Sequence, residues 1–86
     1  MNLTKEDISK LTVKCKKDAN YYITLDCADN TKEIVYLLKC TLKEAEEVFI
    51  FVVHNQQQEY RKPNNNIKWR VVRLFDANNN QISQES

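Results

Sequence analysis

Residues 41–60, TLKEAEEVFIFVVHNQQQEY, decide how the rest of the chain has to be read. Thr41 followed three residues later by Glu44 is a capping box, in which a hydroxyl and a carboxylate satisfy the orphan N–H groups that open a helix. At about 100° per residue, Leu42, Ala45, Val48, Phe49, Val52, Val53 and Tyr60 share one broad face. Lys43, Glu47, His54 and Gln58 occupy the opposite one. The middle, Val48 to Val53, has strand propensity, but the flanking KEAEE and QQQEY are strong helix formers and tip the balance. The spacing therefore predicts a helix over about 42–60. Ile50 and Phe51 fall outside its apolar stripe, towards the polar side. Such a helix is expected to cover a sheet with one face and to offer two large apolar side chains to a partner with another.

Upstream of it, the run Lys32 to Cys40 is apolar on both alternations, with Ile34, Tyr36 and Leu38 on one face and Val35 and Leu37 on the other. That pattern predicts a central strand covered on both sides, or one whose second face meets a partner. Tyr21, Ile23, Leu25 and Cys27 alternate with Tyr22, Thr24 and Asp26; Leu11, Val13 and Cys15 alternate with Thr12, Lys14 and Lys16. Each is the period-2 signature of a half-buried strand, so three successive antiparallel strands are expected. Before them, Thr4-Lys5-Glu6-Asp7 places an acid three residues after an N-cap, predicting a short helix over about 4–10.

Downstream, Arg61-Lys62-Pro63 and the asparagines after it stop the long helix. Ile67, Trp69, Val71 and Phe75 then alternate with Lys68 and Arg70 as a further strand, with a kink expected where Val71-Val72 breaks the pattern. A short return strand is expected around Gln81-Ile82-Ser83, followed by a frayed end at 84–86. The predicted fold is α+β in a single domain over 1–86: an antiparallel sheet of four to five strands, one long helix packed on one face and a short N-terminal helix.

Composition restricts the function classes. With 86 residues, 42% hydrophobic and 29% charged, the chain suits one two-layer core and a well-solvated exterior. It contains no glycine. Turns that need a positive φ therefore fall to Asn and Asp, which punctuate the chain at 18–20, 29–30, 63–66 and 78–80. The same lack argues against a glycine-rich phosphate cradle. No apolar run approaches a membrane span and no signal-peptide core is visible, so the expected location is cytoplasmic, with no membrane partner. Cys15, Cys27 and Cys40 are odd in number and widely spaced, and are expected to sit in the core as small hydrophobes. One histidine and no C-x-x-C pair imply no metal site, and no cofactor is expected. His54 lies on the polar side of the helix, away from any core cysteine, so neither a Cys–His pair nor another catalytic constellation is expected and the chain is read as non-enzymatic.

Charge is segregated although the net is only +1. Arg61, Lys62, Lys68 and Arg70, with Arg73 beyond them, form a basic loop and strand that could contact successive phosphates. Glu44, Glu46 and Glu47 make the start of the long helix acidic. The stretch Lys43-Glu44-Ala45-Glu46, with the predicted helix, three-strand meander and helix over 4–60, resembles the layout of the double-stranded-RNA-binding domain. It departs at the helix start, where acids stand in place of that family's phosphate-bridging lysine pair. In size, in its Asn-rich, glycine-free composition and in its sheet-plus-one-helix layout over 20–83, the chain also looks like the small phage-encoded inhibitors of bacterial defence, the anti-CRISPR proteins among them.

That second resemblance implies a cytoplasmic inhibitor that occludes a surface of a host nucleoprotein complex such as a CRISPR effector, acting from the host cell's cytoplasm. The contacting residues are then expected to be Glu44, Glu47, Ile50, Phe51 and His54, an acidic helix face with an apolar anchor. The alternatives are nucleic-acid binding through Arg61, Lys62, Lys68, Arg70 and Arg73, and a homodimer whose long helices pair through Ile50 and Phe51.

Overall fold

A computed structural model describes residues 3–27, 33–60 and 69–85 of the chain. The fold is α+β. Helix α1, Lys5–Leu11, opens on the expected box: Thr4 Oγ1 accepts the Asp7 N–H at 3.2 Å, and an Asp7 carboxylate oxygen accepts the Thr4 N–H at 3.0 Å. The strands follow as β1, Tyr21–Cys27, and β2, Glu33–Leu38; then come helix α2, Leu42–Tyr60, and strands β3, Trp69–Asp76, and β4, Gln81–Glu85. All pairings are antiparallel and the strand order is β2-β1-β3-β4. The sheet is two hairpins side by side, and α2 carries the chain from the β2 edge across to β3.

One face of the sheet carries the core. Ile23 and Leu25 of β1 stand beside Leu74 and Val72 of β3 in register, and Leu38 of β2 lies opposite Tyr21. Against them α2 lays Ala45, Val48, Phe49 and Val52, and α1 adds Ile8. Ile23, Leu25, Leu38, Leu74 and Val48 are fully enclosed. Of the stripe that the 3.6-residue period picked out, Ala45, Val48, Phe49 and Val52 are buried, Val53 is half-buried and Leu42 is 44% exposed in the first turn, while the Tyr60 side chain lies outside the described residues.

Three expectations need correcting. The alternation over Leu11–Cys15 does not make a strand. Leu11 ends α1, Thr12 caps it by donating its N–H and its hydroxyl to the Ile8 carbonyl, and only one bridge, Thr12 with Leu38, forms. A 3₁₀ turn, Lys16–Asp18, then swings the chain into β1, and Cys15 is exposed at its start, outside the core. Among the described residues the three-strand meander, and with it the double-stranded-RNA-binding layout, is therefore absent: two described strands precede α2 and two follow it.

β2, apolar on both alternations, is an edge and not a centre. Leu11–Val13 covers its C-terminal half through Val13 N–H to the Leu37 carbonyl and Lys39 N–H to the Leu11 carbonyl. Its N-terminal half leaves Ile34 and Val35 exposed. Finally, β4 continues to Glu85, which pairs with Val72, so the return strand is longer than Gln81–Ser83.

The kink expected near Val71 is a β-bulge: Asp26 faces Val71 while Cys27 faces Trp69, leaving Arg70 as the extra residue. Val71 and Val72, consecutive in regular register beyond the bulge, are both buried, one on each face of the sheet. The β3–β4 turn is built from asparagines. Asn79 takes φ 65°. Asp76 Oδ1 accepts the N–H groups of Asn78 and Asn80 at 2.8 and 2.9 Å. Those bonds, the Asn80 N–H first, hold the Asp76 carboxyl below its ordinary pKa. The breaks expected at Asp29-Asn30 and Pro63–Asn66 lie outside the described residues.

Candidate partner-binding surface

The start of α2 is set by two interlocking contacts. Glu44 accepts from the Thr41 N–H and hydroxyl at 3.0 and 3.1 Å, and its own N–H donates to Thr41 Oγ1 at 3.2 Å. One residue earlier, the Asn20 side chain grips the Cys40 peptide: Nδ2 donates to the Cys40 carbonyl at 2.7 Å and the Cys40 N–H donates to Oδ1 at 3.0 Å. The amide of a turn residue thus stands in for a strand partner, tying the entry of β1 to the exit of β2. Burial, and then the nearby Glu44 carboxylate, push the Cys40 thiol up to about 11.

With α2 held in that way, its outer flank and the N-terminal segment enclose a groove of about 390 Å³ lined by Leu3, Glu47, Ile50, Phe51 and His54. Four of the five residues expected to contact a partner therefore converge on one concavity. Ile50 is 55% exposed, the most exposed large apolar side chain among the described residues. Phe51 is half-buried and packs its inner side against the core cluster, so it is part floor of the groove and part core. His54 is exposed and Glu47 half-buried, one at each end of the apolar strip. Glu44 does not line the groove; its carboxylate is engaged by the Thr41 cap.

Leu3 was missed by the reading of the helix alone. A signal for it exists: Leu3 precedes the Thr4 N-cap and Ile8 stands at the fourth helical position, the spacing of a hydrophobic staple. Both belong to the core and its immediate cover.

The basic alternative fares differently. Arg61, Lys62 and Lys68 lie outside the described residues, and Arg70 is the bulge residue of β3, where only the backbone is described. Arg73 is on the sheet face turned away from α2, where its guanidinium pairs with the Asp26 carboxylate of the neighbouring strand. Among the described residues no three His, Cys, Asp or Glu side chains come together as a metal site would require. Nor is any described helix long and apolar enough to cross a membrane. No protein-family model, no curated protein and no solved structure matches the chain.

Proposed function

We propose that this chain is a small non-catalytic inhibitor, encoded by a phage or mobile element, that docks through the α2 groove on a host defence nucleoprotein complex such as a CRISPR effector. The observation that carries the reading is the convergence of Leu3, Glu47, Ile50, Phe51 and His54 on one groove with Ile50 standing proud of it. An apolar anchor ringed by polar side chains is the arrangement from which interface energy is drawn, since a few central side chains carry most of it. Glu46 is exposed beside Glu47 on the same helix. Such an acidic flank complements a basic channel built to hold nucleic acid and steers the encounter. The occupant is thus a protein surface that pairs an apolar residue with lysine or arginine.

The test is capture of partners by the tagged chain from host lysate, with nuclease added, alongside an Ile50→Asp variant. Ile50 is exposed enough for that substitution to spare the fold, whereas Phe51 is not. One or two stoichiometric partners that survive nuclease and are lost with Ile50→Asp, at unchanged melting temperature, are expected. Partners that disappear with nuclease alone would move the activity to nucleic acid. A mass doubled in light scattering and halved by Ile50→Asp would make the groove a homodimer contact instead.

A further inference from the structure

The sheet face turned away from α2 carries a second concavity, of about 400 Å³, that shares no lining residue with the α2 groove. Alternation in β1 and β2 puts Tyr22, Thr24, Val35 and Leu37 there, and Phe75 joins them from β3 opposite Tyr22. Both α-helices pack on the other face. Tyr22 is 8% exposed and lies beneath its neighbours. The apolar surface on offer is Val35, 47% exposed, with the half-buried Leu37 and Phe75 at the next level along the strands.

The two ends of this strip carry opposite charge. At the Leu37 level Lys16, from the 3₁₀ turn, holds its ammonium 5.5 Å from the centre of the Tyr22 ring. A cation settled over an aromatic face is fixed in place yet keeps donors for a carboxylate. Lys14 and Lys17, exposed on either side of it in sequence, outnumber Asp18 and keep that end cationic. At the other end stands Glu33, exposed, four residues along β2 from Leu37 and so about 13 Å away at strand rise. Between the two, Arg73 is already neutralised by Asp26 and adds no free charge.

A cation, an apolar middle and an anion in one line make the face complementary to itself once a copy is reversed. We infer that the occupant is a second copy of this chain, the two open sheet faces packing together about a two-fold axis. The axis lies between the faces and crosses the strands at the level of Val35. It sets Val35 on Val35 and reverses the strand direction, so Lys16 of each copy meets the partner's Glu33 and two ion pairs flank one apolar contact. Stacking with the strands unreversed would set lysine on lysine and glutamate on glutamate. The layers run helix, sheet, sheet, helix, which leaves the two α2 grooves on opposite sides of the dimer. Their use as two docking sites rests on the function proposed above; the dimer itself does not. Four strands and about six residues along each make a face of roughly 14 by 20 Å. That is the low end of interface sizes, so a dissociation constant on the order of 10⁻⁵–10⁻⁴ M is expected.

The experiment is sedimentation equilibrium of the full chain over a concentration series reaching about 10⁻³ M, with each variant's melting temperature taken in dilute solution as the check on its fold. A mass rising from 10.2 kDa towards twice that value is expected. Val35→Lys sets two ammoniums on the axis at a position where an exposed edge strand accepts lysine, and should weaken the dimer at least about tenfold. Lys16→Glu and Glu33→Lys should each weaken it about tenfold, since each turns both ion pairs into like-charge pairs. An equimolar mixture of those two variants should dimerise again, because each copy then meets its opposite at both ends. Ile50→Asp should leave the mass unchanged. The inference is overturned by a chain that stays monomeric throughout the series, by a dimer indifferent to Val35→Lys, or by a mixture that associates no better than its components. A dimer lost with Ile50→Asp would place the contact on α2 and equally overturn it. A monomeric chain leaves the α2 groove reading standing, and a groove that captures no host partner leaves the sheet dimer standing.

Discussion

Asn20→Ala tests the contact that most directly sets the layout. The Asn20 amide makes two hydrogen bonds to the Cys40 backbone, at 2.7 and 3.0 Å, where β2 has ended and α2 has not begun. Each net hydrogen bond contributes about 0.5–1.5 kcal/mol. The site is exposed, so water replaces the lost side chain and no penalty for a buried unsatisfied group is added. The expected loss is therefore about 1–2 kcal/mol, which for a domain of this size lowers the melting temperature by roughly 5–15 °C. The assay is urea unfolding followed by circular dichroism, with unchanged m-value as the check that the end states are preserved.

Asn20→Asp sharpens the test. It keeps an acceptor for the Cys40 N–H but turns a carboxylate oxygen towards the Cys40 carbonyl, so near neutral pH it should be at least as unstable as Asn20→Ala. As pH falls through the ordinary carboxyl range, near 4, the protonated acid donates to that carbonyl and the variant should gain on Asn20→Ala. An Asn20→Ala protein within about 0.3 kcal/mol of the parent would refute the clamp; an Asn20→Asp protein showing no such relative gain would refute its geometry.

Three further expectations follow from particular groups. The Asp7 and Asp76 carboxyls are both held below their ordinary pKa, Asp7 first by its bond from the Thr4 N–H and Asp76 first by that from Asn80, so their stabilisation is complete above the unfolded carboxyl range and is lost as pH falls through the folded values. Below about pH 4 the parent should lose stability more steeply than Asp76→Asn, read from urea midpoints across the acid range. Of the thiols, Cys15 is exposed while Cys40 is half-buried and titrates near 11, so a thiol-reactive probe at pH 8 should label Cys15 well before Cys40, seen by peptide mass mapping. Asn79→Gly should leave stability unchanged or slightly raised because φ is 65° there, whereas Asn79→Val should cost about 1–2 kcal/mol by thermal melting.

Most of the architecture was legible in short local signals. The two capping boxes, the alternation of β1 and the asparagine turn at 76–80 each depend on residues a few positions apart, and each formed as read. β3 forms as a strand, but it is Val72 and Leu74 that face the core, whereas Val71 and Phe75, expected on its apolar alternation, lie on the other face. What failed depended on distance. Leu11, Val13 and Cys15 alternate as a strand does, but β2 has an edge to offer only as far as Val13, and the connection into β1 needs the next residues for its turn. β2 looked central because both its faces are apolar, yet strand order is set by where α2 delivers β3, which no local pattern in β2 records.

The candidate site was half legible for the same reason. Helical spacing places Glu47, Ile50, Phe51 and His54 on one flank, and the groove gathers them. The opposing wall, Leu3, comes from another segment. Glu44, by spacing alone, could not be told apart as cap or contact, since it is close enough to both.

The strand order makes the molecule two local pieces with one seam. The β1–β2 and β3–β4 pairings each join neighbours in sequence, while every bond between β1 and β3 joins residues roughly fifty positions apart, with α2 inside the loop so closed. The hairpins can therefore form early and independently, and the domain exists only once the seam closes and α2 is pressed over it. Along that seam Ile23 meets Leu74 and Leu25 meets Val72, so the same four side chains that hold the finished core also govern how fast it is reached. Trimming any of them should slow folding, whereas trimming Ile82 at the rim should mainly hasten unfolding.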